Sequence, residues 1–238
     1  MSGAEGKLEL ERIVFIGRTF EEYLQMFNLK EADLVGGRIL DCPAGACSFT
    51  AISNQLGSEV TAADIAYYYS ADELADKGIQ DIEHAMSELE KVQGNFVWDY
   101  FGSIADLTQA RNRALNDNTN DRRQTPERYI PVVLPDLPFN DEAFDLTLSA
   151  HFLFMYSDRL DYDFHLRTVN ELMRVTRGEL RIFPLVDLCC KRYEHLDRLI
   201  VEMVHQGFAV EEMEVPYEFQ KGANQMLSIR RMKPQDNR

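Results

Sequence analysis

The stretch Arg38-Ile-Leu-Asp-Cys-Pro-Ala-Gly-Ala-Cys-Ser-Phe-Thr50 carries the residue types that hold a nucleotide-like ligand. A short apolar run ends in Asp41, a loop of small residues follows, and an amphipathic segment comes next. Small residues let backbone N–H groups approach a ligand closely, and a helix starting there adds the positive end of its dipole. Asp64 ends the next apolar run, 23 positions after Asp41. An acid at the end of the second strand of a doubly wound sheet commonly binds both hydroxyls of a ribose. The structural alternative for Asp64 is a helix N-cap. Gly45 is the one glycine of the loop, because Pro43 and Cys47 stand where two others are often found, and proline removes a backbone donor. His151 directly follows a later apolar run at 144–150 and is the best-placed candidate for a general base or for a direct ligand contact. Its alternative is a histidine satisfied by backbone at the sheet edge.

These residues need strands to carry them. Apolar runs predict strands at 38–42, 58–64, 129–134, 144–150, 179–185, 209–216 and 225–231. Helical periodicity marks 8–30 (Ile13, Phe15, Ile16, Phe20, Tyr23, Leu24 and Phe27), 48–56, 81–92, 103–118, 162–176 and 192–206. Thr19 suits a helix cap with Glu21 and Glu22 in the first turn, and Arg177-Gly178 reads as a helix stop. The polar run at 116–127 reads as the strongest loop signal. Alternating strands and helices, then two late strands with no helix between them, imply an α/β protein. The expected sheet is Rossmann-like, seven-stranded and mostly parallel, with the last strand antiparallel and helices on both faces. Residues 65–128 far exceed a simple crossover, so a helical insertion is expected at about 66–128. The chain reads as a single domain over 1–238 with an N-terminal helical cap at 1–35.

Composition narrows the function classes. The chain has 238 residues, 45% of them apolar, and a net charge of −15. That charge opposes non-specific attraction to nucleic acid or to an anionic membrane and favours a small neutral or cationic substrate. Cys42, Cys47, Cys189 and Cys190 form no Cys-x-x-Cys pair and no zinc spacing, so reduced, buried thiols and no metal site are expected. No apolar run suits a signal peptide or a membrane span, so the expected location is cytoplasmic. The oligomeric state stays open, a homo-oligomer included.

Ile39-Leu40-Asp41-x-x-x-Gly45 resembles the first motif of the class I S-adenosylmethionine-dependent methyltransferases. Ala63-Asp64-Ile65 resembles the acidic end of their second strand. Leu137-Pro138-Phe139-x-x-x-x-Phe144-Asp145-Leu146 resembles the turn into strand four in their small-molecule branch. The resemblance covers roughly 36–231 and implies S-adenosyl-L-methionine as cofactor and methyl transfer to a small molecule. It implies cofactor contacts from Asp41, Pro43, Gly45, Asp64, Ile65 and Leu134, with Ile65 packing on adenine and His151 near the reacting end. The family tends to carry an acid or polar residue after strand three, where this chain has Val132-Val133-Leu134-Pro135 with Asp136 nearby.

Arg18 and Tyr23 are expected to close the pocket from above, Arg18 pairing with the cofactor carboxylate. The segment 216–224 is expected to form a lid or rim. Phe152, Phe154, Tyr156, Tyr217 and Phe219 are candidates for a substrate cavity or for core. The cluster Arg111, Arg113, Arg122, Arg123 and Arg128 reads either as an anion-binding island or as a solvated insertion paired with acids. A nicotinamide oxidoreductase would need three loop glycines where this chain has one. A non-catalytic methyltransferase-like binding protein is the alternative function.

Overall fold

The computed structural model describes residues 14–232. Seven strands form one sheet in the order β3-β2-β1-β4-β5-β7-β6. They are β1 (Arg38–Asp41), β2 (Glu59–Asp64), β3 (Tyr129–Pro131), β4 (Phe144–Ala150), β5 (Thr176–Phe183), β6 (Phe208–Glu214) and β7 (Gln225–Arg231). The first five pair in parallel, and β7 runs antiparallel to both β5 and β6. Ile39 and Leu40 of β1 are both buried, as a strand covered on both faces requires.

Six α-helices accompany the sheet: α1 (Phe20–Met26), α2 (Phe49–Gln55), α3 (Ala71–Lys91), α4 (Ile104–Gln124), α5 (Tyr162–Val175) and α6 (Leu196–His205). Thr19 caps α1 in a capping box with Glu22, as its sequence suggests. In α5 the buried residues His165, Thr168, Val169, Leu172 and Met173 follow the three- and four-residue steps of one helix face. Helices α3 and α4 lie between β2 and β3 and pack closely where Gly78 meets Leu115. A Cβ at Gly78 would come within 2.6 Å of a Leu115 methyl, so close packing explains a glycine inside a helix that it otherwise weakens.

Three sequence expectations change. The segment at 116–124 is helical, as the end of α4. Its polar residues Asn118, Thr119 and Arg122 face inward, where Asn118 and Arg122 hydrogen-bond to backbone carbonyls of other segments. Arg177 and Gly178 do not stop a helix; they belong to β5, which begins at Thr176. There the register with β4 shifts, and a Cβ at Gly178 would lie 2.3 Å from the Asp145 carbonyl oxygen. Residues 8–13 of the periodic stretch at 8–30 lie outside the described residues, and its described part is helical over α1. Residues 14–18 run without regular structure across the loop after β1, and Ile13 lies outside the described residues.

The Leu137-Pro138-Phe139 turn is held by Arg174 of α5. Its guanidinium donates to the carbonyls of Leu137 (3.2 Å) and Phe139 (3.0 Å), and the Phe139 ring meets Phe144 edge-on at 5.0 Å. This fixes the entry to β4 and thereby the position of His151 at its far end.

Gly17 is the tightest backbone approach in the N-terminal segment. A Cβ there would sit 1.9 Å from the Ala46 carbonyl oxygen and 2.8 Å from the Cys47 nitrogen. Gly17→Ala is therefore expected to destabilise the fold by about 3 kcal/mol, whereas Gly37→Ala, whose Cβ meets nothing closer than 3.7 Å, should change little. Urea denaturation of the two variants checks this; equal midpoints would contradict it.

Candidate active site

The loop after β1 is fixed by hydrogen bonds from four directions. Asp64, at the tip of β2, accepts the Gly45 N–H through one oxygen and the Ala66 N–H through the other, both at 2.8 Å. The Tyr67 hydroxyl donates to the Gly45 carbonyl at 2.8 Å, and the Asn118 amide of α4 donates to the Cys47 carbonyl at 3.1 Å. From above, the Arg18 N–H donates to Cys47 Sγ at 3.2 Å and the Ser48 N–H to the Arg18 carbonyl at 3.0 Å. Gly45 adopts φ +54°, a conformation that a side chain would strain. Asp64 thus acts as the cap that its sequence allowed, and its 8% exposure lies on a cavity wall. Each oxygen keeps a further lone pair for a ligand hydroxyl. Burial raises the Asp64 pKa, opposed by the two N–H bonds and Arg122.

Asp41 lies beneath this loop and does not line the cavity. It is fully buried; one oxygen accepts the Tyr23 hydroxyl at 3.0 Å and the other has no hydrogen-bond partner. Burial pushes its pKa well up despite the Tyr23 bond. Tyr23, expected above the pocket, is part of the same buried layer, stacked on Phe49 at 4.8 Å.

A cavity of about 590 Å³ opens at the carboxyl ends of β1, β2 and β4. Pro43, Gly45 and Asp64 form its floor, while Ile65, Val133 and Leu134 line an apolar side. Ile65 is 60% exposed and Val133 52%, an apolar surface that a flat ligand would cover. A second, inner cavity of about 110 Å³ lies beneath α3, α4 and the 215–224 segment. Val14, Ile16, Arg18, His151 and Tyr156 line both, so these residues mark the junction.

His151 sits at that junction in a left-handed backbone conformation, φ +52°, pinned by its N–H to the Phe183 carbonyl at 2.7 Å. Such a conformation in a non-glycine residue is uncommon and held by its surroundings. Its ring meets Phe183 at 5.3 Å, and its buried Nδ1 has no hydrogen-bond partner. Burial, then the charges of Arg18 and Arg111, push its pKa well below the usual histidine value, so the ring is neutral. Arg18 has no carboxylate partner among the described residues. Its Nε is buried without a hydrogen bond, and Nη1 donates to the Ile16 carbonyl at 3.5 Å.

The structure brings Arg18, Pro43, Gly45, Asp64, Ile65, Leu134 and His151 to one connected site. Phe152 and Tyr156 line the outer cavity, and Tyr156, Tyr217 and Phe219 the inner one. Phe154 is core, stacked on Tyr193 at 4.9 Å. The arginines of α4 and the turn after it are engaged. Arg113, Arg123 and Arg128 pair with Glu21, Asp72 and Asp121, and Arg122 lies over the Tyr67 ring. Arg111 is buried against Glu22 at 2.6 and 3.0 Å. Arg113, Arg123 and Arg128 thus match the paired-insertion alternative, whereas Arg111 and Arg122 are buried rather than solvated. Cys42 and Cys47 are buried, whereas Cys189 and Cys190 are half-buried; all four are free thiols. Sequence reasoning missed Glu22, Tyr67 and Asn118 as site-builders. No helix among the described residues is long and apolar enough to cross a membrane.

The strand order, the antiparallel β7 beside β5 and the acid-tipped β1 and β2 around a small-residue loop define a Rossmann-like fold of the class I methyltransferase type. The chain belongs to the same family as the uncharacterized protein MJ0045 of Methanocaldococcus jannaschii. The two are 34% identical over 225 residues, 94% of this chain and 99% of that protein. No protein-family model matches the chain. Among solved structures it is similar to magnesium protoporphyrin IX methyltransferase from Synechocystis PCC 6803 with bound SAM. That match has a TM-score of 0.47 and 11% identity, covering 85% of this chain and 73% of that one. It is also similar to 1,6-didemethyltoxoflavin-N1-methyltransferase from Burkholderia thailandensis, with a TM-score of 0.45 and 14% identity, covering 85% and 76%.

The buried Asp41 carboxyl yields a pH-dependent expectation. Its folded pKa lies above the unfolded value, so its contribution to stability is present at low pH and lost as pH rises through the folded value. Asp41→Asn should therefore gain on the parent as pH rises from 5 to 8, by about 1 kcal/mol or more. Thermal melts across that range check it; a variant that loses ground to the parent as pH rises would contradict it.

Proposed function

We propose that the protein transfers a methyl group from S-adenosyl-L-methionine to a small molecule. The observation that carries this reading is the outer cavity at the switch point between β1 and β4, joined through Arg18 and His151 to a second, smaller cavity. Ligands of open α/β sheets bind in that crevice, and about 590 Å³ falls within the range of small-molecule pockets.

The residues fit the cofactor. Ile65 and Leu134 supply the apolar slot for adenine, and Asp64 offers lone pairs to the ribose hydroxyls. Pro43, Ala44 and Gly45 pack along the methionine part. Asp41 supports the loop from beneath. When bound, S-adenosylmethionine supplies an electrophilic methyl group. The chain's own contribution is placement. Apolar side chains of the inner cavity flank the junction, and holding two reactants aligned accounts for much of the acceleration such reactions need. His151 is neutral, so its free Nδ1 can take a proton from an acceptor that must lose one.

Titration calorimetry with S-adenosylmethionine tests the assignment: the parent should bind, and Asp64→Ala should bind at least about tenfold more weakly. No binding at millimolar cofactor would refute enzyme function and leave the non-catalytic binding protein. Because the His151 pKa is depressed, cofactor-dependent turnover should stay flat as pH falls through 6.5 and decline only further down. A loss centred on 6.5 would contradict the role given to His151.

A further inference from the structure

Among the residues lining the inner cavity are two arginines and no aspartate or glutamate. Their charges differ in standing. Arg111 is compensated by Glu22, which also accepts the Tyr217 hydroxyl at 2.7 Å and the Thr19 N–H at 2.9 Å. Arg18 feels the Glu22 charge but forms no ion pair with it or with any other acid among the described residues, and its Nε is buried and unpartnered. The nearby ionisable groups do not cancel it. His151 is neutral, and Glu22 is already matched by Arg111. A charge held in such a place is costly unless paired, so the junction carries one positive charge awaiting an anion.

The remaining walls set the body of that anion. Leu89, Phe96, Leu107, Phe183 and Phe219 are apolar, beside the polar ends of Tyr156, Tyr217 and Gln220. An apolar cavity of about 150 Å³ holds a benzene ring, so about 110 Å³ suits an apolar body of about four to six non-hydrogen atoms. Resting on the methyltransferase reading, we propose that the inner cavity is the acceptor side of the site and takes a small carboxylic acid with an apolar body, its carboxylate set against Arg18. This places Arg18 with the acceptor, where the family resemblance places it with the cofactor carboxylate.

Thermal-shift and calorimetric titrations of the full chain test it, using butyrate and benzoate against butyramide and benzamide, each with saturating S-adenosylhomocysteine. The acids should bind about tenfold more tightly than their amides. Arg18→Gln should remove that preference and Arg18→Lys retain part of it, with S-adenosylhomocysteine affinity within about threefold of the parent in both. Equal binding of acids and amides, or no binding of any of the four, overturns the proposal. So does a tenfold loss of S-adenosylhomocysteine affinity in Arg18→Gln, which would assign Arg18 to the cofactor. Should the parent fail to bind S-adenosylhomocysteine, the methyltransferase reading falls, and the acid-against-amide comparison without it still decides the anion site. The parent comparison also stands if a variant fails to fold.

Discussion

The buried ion pair between Glu22 and Arg111 ties together the parts that enclose the site. Glu22 belongs to α1, Arg111 to α4, and Tyr217, which donates to the same carboxylate, to the segment between β6 and β7. Burial alone would raise the Glu22 pKa, but the charge and hydrogen bonds of Arg111 outweigh it and hold the carboxyl below its usual range. Removing either partner would leave the other charged and unpaired in the interior, at about 3–5 kcal/mol. The pair also sets the electrostatics of the inner cavity. With Arg111 matched internally, Arg18 is the residual charge at the junction.

The loop after β1 shows how a chain can keep a fold while altering its ligand loop. With one glycine, the loop does not depend on bare backbone for its shape; it is clasped by Asp64, Tyr67, Asn118 and the segment carrying Gly17. The Gly45 N–H is used by Asp64, so on the proposed reading cofactor recognition rests more on side chains: Asp64 itself and the Ile65 and Leu134 slot. A clasped loop is also preorganised, which reduces the ordering cost of binding.

The sheet was legible in the sequence because its strands are short segments rich in apolar residues, β1 and β2 ending in acids, and the late strand pair without a helix pointed to the antiparallel edge. Asp64 and Ile65 were legible for the same reason: they occupy a strand end. What sequence could not reveal was partnership across distance. Glu22 and Arg111 stand 89 positions apart, and nothing local in either segment marks the pair. The polar end of α4 read as loop because Asn118 and Arg122 look solvated until their backbone partners, Cys47 and Tyr69, are in place. Gly178 read as a helix stop because a glycine demanded by a close strand approach looks the same in one dimension as a cap.

On the proposed reading the crevice above β1, β2 and β4 holds a nucleoside cofactor, with Arg18 and His151 at its inner end. Hydrogen exchange of the full chain, with and without S-adenosylhomocysteine, tests this most directly. Slowed exchange is expected only at the backbone amides of 44–48, 64–69, 132–134, 136 and 150–152, with the β6–β7 edge unchanged. Protection absent from those segments, or confined to other surfaces, would contradict it.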